Sequence, residues 1–271
     1  MTPKSDRMRD RLAIAPNCVA VYERSLRALA EAGVPFLVGG AWGMAELAGV
    51  WRHTKDLDLF VRPNQVDLVL GTLGEAGFRT EVLSTVWLAK AWYDELFIDI
   101  IFSSGNGIAT VDQGWFDHAQ PGTVLDVPVL FCPAEETIWS KAWIMERERF
   151  DGADVAHLIR ARGPCLDWHR LLERFGEHWR VLYTHLVLFG YIYPSERSRI
   201  PAWVMLQLSE RMHRELAAEP APERVCLGPL LSRQQYRADL DRWGYTVPTS
   251  VSDRLDVPDE PRGSDAPRRG R

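Results

Sequence analysis

The sequence predicts an α/β (α+β) chain in which short strands alternate with helices over the first half and give way to an all-helical second half. Three observations carry this. A short apolar run, Pro35-Phe36-Leu37-Val38, closes on Gly39-Gly40 and opens a helical stretch. The run Asp56-Leu57-Asp58-Leu59-Phe60 alternates with period two, as a strand with one buried face does. From Asp167 onward, Leu171, Leu172, Phe175, Trp179, Leu182, Leu186 and Phe189 recur at a spacing of three to four, and Trp203, Leu206, Leu208 and Met212 mark a later helix.

The elements follow in order. Val19, Tyr22, Leu26 and Leu29 set a helix over Asn17–Ala32, with Gly33 placed to stop it. Asn64 is positioned to cap a helix running to Ala76 and ended by Gly77, and Phe78–Leu83 reads as a strand. Val86–Trp92 alternates, Asp94-Glu95 turns, and Leu96–Phe102 returns as an apolar strand with one charge inside it, Asp99. Ser103–Asp112 is loop-like, Trp115–His118 a short turn or helix, and Thr123–Phe131 a further strand. Pro133 starts a helix over Ala134–Arg149 with Ile138, Ala142 and Met145 on one face; Phe150-Asp151-Gly152 breaks it, and Ala153–Arg162 is a second helix. Pro248–Arg271, rich in Pro, Asp, Arg, Gly and Ser, is expected to be a disordered, dispensable tail. The expected division is a core over residues 17–132, a helical part over 133–246 and a tail over 247–271.

Composition bounds the function classes. A chain of 271 residues, 46% hydrophobic, buries a sizeable core. A net charge of −5 argues against a dedicated nucleic-acid binder, leaving at most a local basic patch such as Arg147, Arg149, Arg160 and Arg162. Cys18, Cys132, Cys165 and Cys226 lack the pairing of a zinc site and are expected as reduced thiols. The charged start of the chain lacks a signal-peptide core, and no run reaches the roughly 18 apolar residues of a membrane span, so a cytoplasmic protein is expected.

The chemistry-bearing residues cluster in sequence between Val38 and Val61. Backbone amides of Gly39 and Gly40 at a helix start suit a phosphate. Period-two alternation puts Asp56 and Asp58 on one strand face. Two acids so placed repel each other unless a cation lies between them, and hard oxygen ligands suit Mg²⁺, with Mn²⁺ as a substitute. Asp99 is costly to bury alone in an apolar strand, so it is expected at a site or beside a cation. Arg52 and Lys55 read either as surface charges or as partners of the acids and of phosphate oxygens. Lys141, between Trp139 and Trp143, reads as a snorkelling lysine or as a contact to an outgoing pyrophosphate. Asp151 and Asp154 read first as a helix cap and a first-turn acid, His53 as a polar lining, and Trp42, Trp87 and Trp92 as core or as cleft walls stacking on a base.

Gly39-Gly40-Ala41-Trp42, then Arg52-His53-Thr54-Lys55-Asp56-Leu57-Asp58, with Asp99 in a later Ile-Asp-Ile strand, resembles the DNA polymerase beta-like nucleotidyltransferase superfamily. The likeness is nearest to its aminoglycoside- and lincosamide-modifying members, although Ala41 and Trp42 stand in swapped order relative to their pattern. A weaker echo over Lys141–Asp154 is similar to the nucleotidyltransferase toxins of abortive-infection systems. The resemblance implies a mixed sheet flanked by helices and the transfer of a nucleoside monophosphate from a nucleoside triphosphate, ATP among the candidates, to a hydroxyl, with pyrophosphate leaving. It implies Asp56, Asp58 and Asp99 as the metal and catalytic carboxylates, and Gly39, Gly40, Arg52, Lys55 and Lys141 as nucleotide contacts. A toxin acting on tRNA or protein, and a nucleotide-binding module without turnover, stand as the alternatives.

Overall fold

The computed structural model describes residues 14–248, so the expected tail beyond Pro248 lies outside the described residues. Helix α1 (Pro16–Glu31) starts on a proline, whose missing N–H costs nothing at a first turn, and ends before Gly33 at φ 67°. Its apolar stripe, Tyr22, Leu26 and Leu29, is fully buried. Strand β1 (Leu37–Val38) then leads into α2 (Gly40–Ala48), and β2 (Asp58–Phe60) into a single 3₁₀ turn and α3 (Val66–Glu75). Strands β3 (Arg79–Ser84), β4 (Leu88–Tyr93) and β5 (Leu96–Ile101) form a meander, and a short α4 (Gln113–Asp117) precedes β6 (Gln120–Val124) and β7 (Val127–Phe131).

The strands make one seven-stranded sheet of order β3-β4-β5-β2-β1-β7-β6. Pairings β2–β5 and β1–β7 are parallel and the others antiparallel, so the sheet is mixed, as expected. Beyond it come α5 (Ala134–Lys141), α6 (Gly152–Arg162), α7 (Trp168–Phe175), α8 (Trp179–Ile192), α9 (Ala202–Ala217) and α10 (Arg237–Asp241). None of the described helices is long and apolar enough to cross a membrane.

Two apolar clusters lie on the two sides of the sheet. One joins α1 and α3 to Val38, Leu57, Leu59, Ile98 and Ile100; the other joins Leu37 and the α2 residues Met44 and Leu47 to Trp115, Ile138, Leu158, Leu171 and Phe189. Leu37 and Val38 thus enter opposite cores, as successive strand residues must. The second cluster draws residues from both sides of position 132, so the helical part packs directly on the helix that follows the glycine pair. A charged network adds to this seam: Arg174 pairs with Asp112 and Glu136, and Arg170 with Glu135 at 2.6 Å.

Several boundaries differ from the sequence reading. Thr123–Phe131 spans the end of β6, the turn and β7 of a hairpin, because Leu125 (φ 48°) and Asp126 (φ 61°) take left-handed conformations without a glycine to announce them. The helix from Ala134 ends at Lys141, and the segment to Asp151 is a loop carrying a Met145–Phe150 bridge. Asn64 lies inside the 3₁₀ turn and caps nothing. Trp42 is fully buried in the core, so it is not a cleft wall.

Leu59 is fully buried at the centre of the sheet, between the β1 and β5 neighbours of its strand. Leu59→Ala is expected to lower the free energy of unfolding by about 2–5 kcal/mol, the usual range for a leucine truncated in a packed core. Urea titration followed by circular dichroism measures this, and a loss under about 1 kcal/mol would show that the strand is not held by that face.

Candidate active site

The site begins with a register. Parallel pairing of β2 with β5 sets Asp58 opposite Asp99, Leu59 opposite Ile100 and Phe60 opposite Ile101. Leu57, Leu59, Ile98 and Ile100 are all fully buried, which leaves the aspartates to the other face. Asp56 lies just ahead of β2, and its carboxylate accepts a hydrogen bond from Thr54 Oγ1 at 2.8 Å. One carboxylate oxygen from each of Asp56, Asp58 and Asp99 lies within 4.8 Å of the others. The three acids named from sequence therefore meet at one point.

Like charges this close are costly. Burial pushes the Asp58 carboxyl up to about 7, the charges of Asp56 and Asp99 add to the rise, and Lys141 and Arg149 pull it back. Protonation or a divalent cation would each relieve that cost, and an all-oxygen set of three carboxylates fits Mg²⁺ or Mn²⁺ chemically. Asp99 has a cation of its own: Lys90 Nζ lies 3.2 Å from its Oδ1.

Gly39 and Gly40 are tied to Asp58 directly. The Gly39 amide, at the N-cap of α2, donates to the Asp58 carbonyl at 3.1 Å. Gly40 sits at φ 53°, and a Cβ there would land on the Asp58 carboxylate, while one on Gly39 would strike the Phe60 ring. The pair is therefore demanded by the acid strand beside it, independently of any phosphate.

Opposite the acids stands a set of cations. Lys141, at the end of α5, bonds Asp151 at 2.9 Å and Asp154 at 2.8 Å. Arg149 pairs with Asp151 through two nitrogens at 3.0 Å, and Arg52 reaches Asp154 at 2.6 Å. The Asp151 side chain makes no cap on its helix; it serves this cluster. Burial raises its carboxyl, but the Arg149 hydrogen bonds and the Lys141 charge outweigh that and hold it down to about 2. Asp154 is likewise held below its ordinary value, burial being overcome by Lys141 and Arg52. Lys55 and His53 are exposed beside Asp56. Of the four arginines read as a patch, Arg149 joins this cluster, Arg147 pairs with Glu148, and Arg162 reaches Gln120.

Sequence reasoning passed over Thr54, Lys90 and the role of Arg149. Lys90 was recoverable, because counting back from the Asp94-Glu95 turn pairs Tyr93 with Leu96 and hence Lys90 with Asp99.

Two outcomes follow. Gly40→Ala is expected to displace the Asp58 carboxylate and weaken Mn²⁺ binding at least about tenfold, with circular dichroism little changed; parental Mn²⁺ affinity would show that Asp58 tolerates a neighbour there. For Asp151, a folded pKa below the unfolded value means that its stabilisation is present above about pH 4 and is lost as pH falls from about 4 toward 2. That contribution is of order 2 kcal/mol, so acid unfolding of Asp151→Asn should show a shallower slope in this window than the parent. Identical slopes would remove Asp151 from the charge balance.

Residues 23–114, which include Gly39, Gly40, Asp56, Asp58 and Asp99, match the model of the aminoglycoside-2''-adenylyltransferase family. No curated protein sequence matches the chain. Among solved structures, the solution structure of the antibiotic-resistance factor ANT(2'')-Ia is 18% identical and covers 66% of this chain and 99% of its own, with a TM-score of 0.45. The lincomycin-bound lincosamide adenylyltransferase LnuA is 16% identical, covering 54% of this chain and 96% of its own at a TM-score of 0.37. JHP933 from Helicobacter pylori is 12% identical, covering 75% and 98% at 0.36. These are distant likenesses, and none carries a substrate to this chain. Over these residues, about a third of the chain, the sequence is similar to that of the aminoglycoside-2''-adenylyltransferases, a family of nucleotidyltransferases.

Proposed function

We propose that the protein moves a nucleoside monophosphate from a nucleoside triphosphate, ATP in the first instance, to a hydroxyl of a small molecule and releases pyrophosphate, with Mg²⁺ as the working ion. The single observation that carries this reading is the meeting of Asp56, Asp58 and Asp99 on one sheet face, brought about by the in-register pairing of Asp58 with Asp99. The family description matched over residues 23–114 supports a small-molecule acceptor.

In this reading Asp56 and Asp58 hold the ion, and Asp99 accepts the proton of the attacking hydroxyl. When bound, the ion supplies charge neutralisation at the phosphates. The Gly40 amide faces the phosphates at the start of α2, where a helix favours an anion, and the Gly39 amide holds the acid strand in place through the Asp58 carbonyl. Arg52 and Lys141, already fixed by Asp154, and the exposed Lys55 lie on the side from which cations would steady the triphosphate and the departing pyrophosphate. As the acceptor oxygen bonds the α-phosphorus, its proton passes to Asp99 and the bond to the β-phosphate oxygen breaks. The core over residues 17–132 carries the acids, and the helical part over 133–246 brings Lys141, Asp151 and Asp154 against it.

Incubating a lysate with the protein, Mg²⁺ and each nucleoside triphosphate in turn, then searching by mass spectrometry, tests the acceptor class. A small molecule gaining one nucleotide is expected; labelled RNA or protein in its place would overturn the acceptor. Asp58→Asn is expected to lose Mg²⁺-triphosphate binding by calorimetry, and unchanged affinity would remove the ion from Asp58. Asp99→Asn should keep triphosphate affinity and melting temperature while turnover falls by roughly a hundredfold, the scale for losing a general base. Near-parental turnover would leave the reaction without Asp99.

A further inference from the structure

Three adjacent strands set three charged residues side by side. The β4–β5 register places Lys90 opposite Asp99, and the β2–β5 register places Asp99 opposite Asp58. Lys90 is not a solvated edge charge. Its strand lies inside the sheet between β3 and β5, its neighbours Ala89 and Ala91 are fully buried on the other face, and its ammonium sits 4.0 Å from the centre of the Phe97 ring. The side chains of Lys90 and Asp99 are only 19% and 17% exposed, so the 3.2 Å contact between them is poorly screened by water.

We propose that Lys90 is the positioning residue of Asp99: its ammonium holds the Oδ1 atom on the β4 side, so that Oδ2 is the oxygen presented toward Asp58 and the acceptor. This rests on the nucleotidyl-transfer reading above and assigns the orientation of its base. Beside two other carboxylates, this one is drawn toward any cation that enters the site. An ammonium already fixed beside one of its oxygens opposes that pull and offsets part of the repulsion from Asp58. It also competes with a divalent ion for Asp99, leaving the ion to Asp56 and Asp58. In the chemical step the acceptor's proton moves to Oδ2 while the new oxygen–phosphorus bond forms. The α–β bridging bond breaks and its electron pair leaves with pyrophosphate. A purely structural lysine, packed on Phe97 for stability, would affect melting and nothing else.

The test compares the parent with Lys90→Met, which keeps the apolar stem over Phe97, and Lys90→Arg, which keeps the cation. Mn²⁺ binding to the nucleotide-free proteins, read from the electron paramagnetic signal of free ion, is expected to tighten about tenfold in Lys90→Met and to stay near the parent in Lys90→Arg. With Mg²⁺-ATP and the acceptor found in the lysate experiment, Lys90→Met should lose turnover by about tenfold or more at a triphosphate affinity within about threefold of the parent, and Lys90→Arg should recover most of it. Unchanged Mn²⁺ affinity in Lys90→Met overturns the proposal, as does turnover within about twofold of the parent. A parent that labels nothing with any triphosphate sinks the nucleotidyl-transfer reading itself, which is a different result from parental turnover in Lys90→Met. If Lys90→Met does not fold, Lys90→Gln carries the same comparison.

Discussion

The constraint on which this structure turns is the close approach of three carboxylates on one face of a sheet. Nothing local in the chain favours it, since each acid raises the cost of ionising the others. It is imposed by register. Leu57, Leu59, Ile98 and Ile100 are all fully buried beneath the acids, and a slip of one residue between β2 and β5 would turn the two buried aliphatic side chains of the strand that moved out of the core and its aspartate in. The hydrophobic face thereby holds the polar face in an arrangement that electrostatics alone would disperse.

The surrounding architecture offsets that cost from two directions. From the sheet comes Lys90, one strand beyond Asp99. From the helical part comes the group around Asp151 and Asp154, which joins three separate pieces of chain: the loop before β2 through Arg52, the end of α5 through Lys141, and the loop after it through Arg149. Asp154 has a side chain only 4% exposed and is paired with two cations, so its buried charge is compensated from two separate pieces of chain. These acids act as holders of cations. Their depressed pKa values record that the cations win over burial.

Helix α2 links the two halves of this arrangement. Its first residues clear the space that the Asp58 carboxylate fills, and its last turns bury Met44 and Leu47 against the helical part. Packing of α6 and α8 on that side therefore bears on the position of Gly39 and Gly40, and through the Gly39 amide on the acid strand. The helical part contributes charge to the site and also the packing that keeps the glycine pair in place.

Much of this was legible in the sequence, and the rest was hidden for identifiable reasons. Period-two alternation was enough to put Asp56 and Asp58 on one face and to mark Asp99 as anomalous, because the pleat is a local property. Helix α1 and the β4–β5 hairpin could likewise be read from spacing and turn residues. The hairpin at Leu125-Asp126 could not, since left-handed residues without glycine leave no compositional mark, and the alternation runs on through them. Nor could the end of α5 at Lys141, where ion pairs from Lys141 and Arg149 to Asp151 draw the chain out of a helix its residues would otherwise continue. The sequence by itself determined which carboxylates share a face and that a glycine pair precedes them. Only the tertiary structure decided that Lys90, Lys141, Arg149 and Arg52 surround them, because ion pairs between distant segments depend on strand order and helix packing, which carry no local signal.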